Sequence, residues 1–371
     1  MNRIPAGAHA RSRGPRRRGP RARGGPPRGP HRRHGRGPVR GTLKYAGNTI
    51  AMMVPLILLG IFMLPTIGLR LMPPEQVGLG VCIPSPVALG DRYLGIAPGL
   101  PWRQSTINFA AATGSQLGIV EDYTLFGAPF DETRACQVTQ LGAVPLIQLL
   151  PRGDSLAAIA DGRYDGYLSS YAAAVRAFKD PVILSFGHEM NARWWSWGYQ
   201  HTRPAAFIAA WRHIWEIFAQ AHVANVTWLW NVNRDPYPGQ QDSISSARQW
   251  WPGGQYVNWA GIDAYFNTPT DTFTSVFGST LTSIRQFTSD PVLITETATA
   301  PGAQQSTQIR SLFAGTSATP GVIGFVWFDL DRREAWRLED RPAALAAFRS
   351  AASQYTTTPP AANQYEWKRH Q

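Results

Sequence analysis

From residue 93 onward, short apolar runs recur at fairly even spacing, each bounded by polar or turn-forming residues. They are YLGIA (93–97), LGIV (closing at 120), AVPLIQLL (143–150), PVILSF (181–186), NVTWLW (225–230), WAGIDAYF (259–266), PVLITE (291–296) and VIGFVWF (322–328). Runs this short, with little polar alternation, predict strands buried on both faces, as in a parallel sheet. Helical spacing fills the intervals. In RPAAFIAAWRHIWEIFAQAH (203–222), Phe207, Trp211, Ile214, Trp215 and Phe218 share one stripe, and Pro204 stands near its start. YLSSYAAAVRAF (167–178), FTSVFGSTLTSIRQF (273–287), QQSTQIRSLF (304–313) and RPAALAAFRSAAS (341–353) are further candidate helices.

Strands alternating with helices imply parallel strands joined by crossovers. Eight of them over roughly 270 residues fit a closed α/β barrel, the (β/α)8 TIM barrel, better than a doubly wound open sheet. The barrel is assigned to residues 91–355, with 356–371 as an irregular C-terminal tail. GIAPGLP, after the first strand, lacks the glycine spacing of a phosphate-binding loop, so no nucleotide cofactor is expected.

Charge changes the picture only at the N-terminus. The formal net charge of +12 suggests a nucleic-acid partner until its position is read. Residues 1–44 hold 14 Lys and Arg and no acid, leaving 22 basic against 24 acidic residues in the remainder. No nucleic-acid partner is therefore expected for the main domain. The basic segment is low-complexity Arg, Gly and Pro, and reads as disordered. It is followed by 25 uncharged residues, 45–69, long enough for one transmembrane helix. With fourteen positive charges before this span and Arg70 alone soon after it, the tail is expected in the cytoplasm and the barrel outside. LRLMPPEQ offers no small-x-small cleavage site, which favours an anchor over a cleaved signal. Residues 70–90, rich in Pro and Gly, read as a stalk. Cys82 and Cys136, both beyond the span, can pair if that compartment is oxidising, or remain free thiols. Nothing in the sequence addresses oligomeric state.

In a barrel of this kind the reactive groups sit where strands end and βα loops begin. Two glutamates occupy such positions: Glu189, after PVILSFGH, and Glu296, in PVLITETA. A carboxylate at the tip of an apolar strand costs desolvation unless something pairs or uses it. Two of them across one rim are what acetal cleavage needs, one to protonate the leaving oxygen and one to attack or to activate water. The aromatic content points the same way. Ten of the 14 tryptophans fall between residues 194 and 259, and Trp194, Trp195 and Trp197 occupy the loop after the fourth strand. Flat indole faces there suit stacking on sugar rings, as does Trp327 at the tip of the eighth strand. Tyr265, ending the sixth strand, is expected to reach Glu296. Asp263 lies on the same face as a further polar contact or a structural ion pair. His188 has no second His or Cys at ligand spacing, and His201, His213 and His222 are scattered, so no metal site is expected.

GHEMNARWWSWG (187–198), YVNWAGIDAYF (256–266) and VLITETA (292–298), in this order, resemble glycoside hydrolase family 26. The likeness extends over roughly residues 90–350. That family consists mostly of endo-β-mannanases, with mixed-linkage β-glucanases and β-1,3-xylanases beside them. The resemblance implies a retaining (β/α)8 enzyme with Glu189 as acid/base and Glu296 as nucleophile. It also implies substrate contacts from His188, Asn191, Trp194 and Tyr265, with a polysaccharide as partner and no cofactor. The chain departs from the pattern at Ala192, where Gly commonly follows, and near the end of the third strand, where Gln148 is the only polar side chain in place of a His. The sugar therefore stays open between mannan and a β-1,4 or mixed-linkage glucan. The rival readings are a polysaccharide-binding barrel without activity and a function residing in the basic tail.

Overall fold

The computed structural model describes residues 92–236, 242–331 and 335–355. The chain divides into two units, Met1–Pro74 and Glu75–Gln371, and every described residue belongs to the second. The basic segment 1–44, the candidate span 45–69, the linker 70–90 and the tail 356–371 lie outside the described residues. Among the described residues no helix is long and apolar enough to cross a membrane.

The elements run β1 (Tyr93–Pro98), α1 (Trp102–Thr113), β2 (Ile119–Leu125), α2 (Glu132–Gln140), β3 (Val144–Leu150), α3 (Leu156–Ala160), α4 (Asp165–Phe178) and β4 (Val182–Phe186). They continue with α5 (Pro204–Gln220), β5 (Val226–Asn233), β6 (Trp259–Asp263), α6 (Phe273–Arg285), β7 (Val292–Thr297), α7 (Gln305–Ala318), β8 (Val322–Asp329) and α8 (Pro342–Ala352). The strands pair in chain order, and β8 closes on β1 in parallel, from Tyr93 opposite Gly324 to Pro98 opposite Asp329. Three 3-10 turns, at Ser243–Ser245, Ala247–Trp250 and Gly254–Tyr256, stand where the other crossovers carry α-helices. The expected (β/α)8 barrel thus holds with one irregular crossover.

The two faces of the strands differ in chemistry. Outward residues make the apolar layer under the helices: Phe186 stacks on Phe207 of α5, and Phe325 meets Phe313 of α7 and Phe348 of α8. Inside the barrel lies a buried polar layer, which must be hydrogen-bonded to be tolerable. Gln148 Nε2 donates to Glu121 Oε1 (2.8 Å), Asn231 Nδ2 to Asp263 Oδ2 (2.8 Å), and Thr295 Oγ1 to Asn231 Oδ1 (3.0 Å). Gly261 leaves room for this network. A Cβ there would lie 2.4 Å from Thr295 Oγ1 and 2.7 Å from Asn231 Oδ1.

β2 runs on beyond the apolar LGIV through EDYTL, and β5 continues to Asn233. Both extensions are polar because they enter the mouth of the barrel. Cys136, buried on α2, is disulfide-bonded, while Cys82 lies outside the described residues.

Candidate active site

Where β4 ends, the backbone turns left-handed twice, at Gly187 (φ 58°) and at Glu189 (φ 53°). For a glutamate that conformation costs on the order of 1–3 kcal/mol and persists only where the surroundings fix it. The fixing contacts are visible. Glu189 N donates to Asn231 O (2.8 Å), and buried Trp197 donates its Nε1 to His188 O (2.9 Å). The carboxylate of Glu189 then accepts three nitrogen donors. Trp194 Nε1 (2.7 Å) and Trp195 Nε1 (2.8 Å) bond Oε2, and Asn233 Nδ2 (2.5 Å) bonds Oε1.

Glu296, on β7, is held by oxygen donors. Tyr123 of β2 donates its hydroxyl to Oε1 (2.6 Å), and Tyr265 to Oε2 (2.5 Å). Burial first, and then neighbouring carboxylates, pushes both phenols well above their ordinary range, so they remain protonated donors. Trp336, from the loop after β8, stacks on Tyr265 with centroids 5.0 Å apart, and Phe328 packs edge-on against the same ring.

Beneath the two glutamates lie three buried titratable groups. Burial, followed by the charge of Glu296, holds the Glu121 carboxyl well above the usual carboxylate range. Asp263 is raised by burial and then by Glu296, Glu189 and Glu121. Burial pushes His188 down to about 3, leaving a neutral imidazole. Tyr123 and Trp195 pack against that ring. His188, Asp263 and Glu296 each offer one ligand atom, and these atoms lie within 4.8 Å of one another. Sequence spacing gave no metal ligands around His188. The fold brings two there from β6 and β7.

Of the sequence candidates, Glu189, Glu296, His188, Asp263, Tyr265, Trp194 and Trp195 gather at the mouths of β4, β6 and β7. Asp263 is wholly buried and bonded to Asn231, so it lies under the cleft and forms no ion pair among the described residues. Two candidates are corrected. Asn191 spends its amide on the end of β5, donating Nδ2 to Asn233 O and accepting Asn233 N on Oδ1, both at 2.9 Å. It props the residue that bonds Glu189. Trp327 is no sugar platform either. Strand alternation turns it outward, where it is fully buried against Phe348 of α8 and donates Nε1 to Trp336 O (3.3 Å). Phe328, its neighbour, is the β8 residue that faces the site.

The sequence reading missed Tyr123, Glu121, Asn233 and Trp336. A usable signal existed for the first two: alternation puts Glu121 and Tyr123 on one face of β2, with Asp122 on the other, paired to Arg134 of α2 at 2.9 Å. Trp195 was expected to offer a free face. One face is covered by Trp197 (4.6 Å, 10° between planes), and the Arg152 guanidinium stands 6.0 Å over its ring.

Two buried glutamates, one just beyond β4 and one on β7, mark this eight-stranded barrel as a scaffold for paired-carboxylate chemistry. Residues 153–310, which include both glutamates, match the model of glycosyl hydrolase family 26. Over those residues the chain is similar to that family. It is 26% identical over 292 residues to "Endoglucanase H" of Acetivibrio thermocellus, covering 73% of this chain and 32% of that protein. Over 88 residues it is 32% identical to "Mannan endo-1,4-beta-mannosidase A and B" of Caldalkalibacillus mannanilyticus, covering 22% of this chain and 16% of that protein. The chain thus spans a third or less of the length of these relatives. In fold it is similar to a family 26 β-mannanase from Bacteroides ovatus, with TM-score 0.56 and 15% identity over 76% of this chain and 94% of that one.

Proposed function

We propose that the chain is a retaining endo-β-glycanase that hydrolyses a β-linked polysaccharide, either a β-mannan or a β-1,4 or mixed-linkage glucan. The observation that carries the reading is a pair of buried carboxylates at the strand ends, Glu189 held by Trp194, Trp195 and Asn233 and Glu296 held by Tyr123 and Tyr265. The names of the two relatives, an endoglucanase and a mannosidase, fit the same pair of substrates.

In the first step Glu296 attacks the anomeric carbon while Glu189 passes its proton to the leaving glycosidic oxygen, giving a glycosyl ester. In the second, Glu189 removes a proton from water, the water oxygen bonds to the anomeric carbon, and Glu296 leaves as carboxylate. The three nitrogen donors around Glu189 suit the ionised form that exists between the two steps. The two tyrosyl hydroxyls fix both oxygens of Glu296 before attack, so that little reorganisation is needed. No step calls for a cofactor.

Residues 45–69 are read as a single membrane anchor that leaves the barrel outside the cytoplasm. The disulfide at Cys136 supports an oxidising compartment. Product analysis of the purified chain on mannan, mixed-linkage glucan, xylan and β-1,3-glucan tests the activity. Oligosaccharides are expected from the first or second. Release from none of the four contradicts the reading.

A further inference from the structure

We propose that His188, Asp263 and Glu296 form a binding site for a divalent cation of the zinc class. The three residues come from the loop after β4 and from β6 and β7, and their donor atoms lie within 4.8 Å of one another. At that spacing a central ion stands about 2.8 Å or less from each donor. Inward movement of under about 1 Å per side chain then reaches the 2.0–2.2 Å of zinc–nitrogen and zinc–oxygen bonds.

Two independent features turn this grouping into a site. His188 Nδ1 and Asp263 Oδ1 are buried and have no hydrogen-bond partner, at residue exposures of 2% and 0%. Buried polar atoms are rarely left so. The surrounding shell is also built as metal shells are. Asn231 Nδ2 orients Asp263 through its other oxygen, and the hydroxyls of Tyr123 and Tyr265 orient Glu296.

The donor set selects among ions. One imidazole with two carboxylates, and no thiolate, suits zinc, whereas calcium requires six to eight oxygens. Three protein ligands leave the fourth position of a tetrahedral ion open. The bound ion would engage Glu296, and on the hydrolase reading above it would block attack on the sugar. Inhibition rests on that reading, whereas binding does not.

Calorimetric titration of zinc chloride into the chelator-stripped full chain tests the site. One ion per chain is expected. His188→Gln and Asp263→Asn should each weaken binding by about tenfold or more, in protein whose melting curve is retained. The pair of His213 with Asp165 (2.6 Å) is the surface rival, and His213→Ala should leave the titration unchanged. If neither site variant folds, cobalt loaded into wild-type protein decides the matter, since paramagnetically shifted imidazole protons of one buried histidine are required. Absence of binding at millimolar zinc, equal displacement by calcium, or affinity that follows His213 would overturn the proposal. Zinc binding in a chain that cuts no glycan would leave the site standing and remove only the hydrolase reading. Hydrolysis indifferent to zinc in a chain that does not bind it would do the reverse.

Discussion

The two glutamates sit on one rim but are held in opposite ways. Glu189 takes nitrogen donors, two of which come from its own loop, five and six residues away. Glu296 takes phenolic donors from β2 and β6, and Tyr123 lies 173 residues from it along the chain. Indole and amide N–H groups can only donate, and they fix a carboxylate in one orientation. A phenol both donates and accepts, so its hydroxyl can follow charge as the carboxylate becomes an ester and is released. One surrounding is therefore mostly local and made of groups that only donate, the other long-range and able to accept as well as donate. On the function proposed above, that contrast suits a proton carrier and a nucleophile.

The comparison breaks most sharply on the glutamates themselves. Glu189→Gln and Glu296→Gln should each lower turnover on polysaccharide by about 10²–10⁴-fold or more. They should differ on an aryl glycoside with a good leaving group, which needs no acid in the first step. Only Glu189→Gln should keep a burst of phenol release there in stopped-flow. Next come the tyrosines. Tyr265→Phe or Tyr123→Phe removes one donor from a charged acceptor, worth about 1.5–3 kcal/mol, so kcat/KM should fall roughly 10–100-fold. Trp194→Phe should cost less, about tenfold or under, because Trp195 still donates to the same oxygen. Trp327→Ala should leave KM unchanged while lowering stability by about 3–5 kcal/mol in urea melts, since it is packing and not platform.

His188 provides the smallest and most specific test. Its imidazole stays neutral in the fold down to about 3, against an ordinary value of 6.5. Between those limits the unfolded chain binds the extra proton, so this residue's contribution to stability falls as pH drops from about 6.5 toward about 3. Glu121 and Asp263, raised in the fold, run the other way, so only a difference is diagnostic. Relative to His188→Gln, wild type should lose about 2 kcal/mol of urea stability between pH 7 and pH 5.

The sequence disclosed the barrel because its strands begin as short apolar runs and its helices carry clear stripes. It also disclosed Glu189, Trp194 and Trp195, which are neighbours along the chain. Tyr123 and Glu121 escaped because β2 turns polar as it reaches the site, and EDYTL no longer looks like a buried strand. Trp327 misled for a related reason. A tryptophan at a strand tip has an equal claim to either face, and only the register against β1, with Ile96 opposite Trp327, assigns the outward one. The β5–β6 crossover gave no helical stripe, and the described part of it carries only 3-10 turns. Asn191 could not be separated from a substrate ligand without the position of Asn233, 42 residues on.

The central claim is that Glu189 and Glu296 act as a double-displacement pair. Proton NMR of the first-formed reducing end, followed before mutarotation, tests it most directly. The account predicts that the β-anomer appears first and the α-anomer grows in later. First appearance of the α-anomer would mean a single displacement by water and would contradict the assignment of Glu296 as nucleophile.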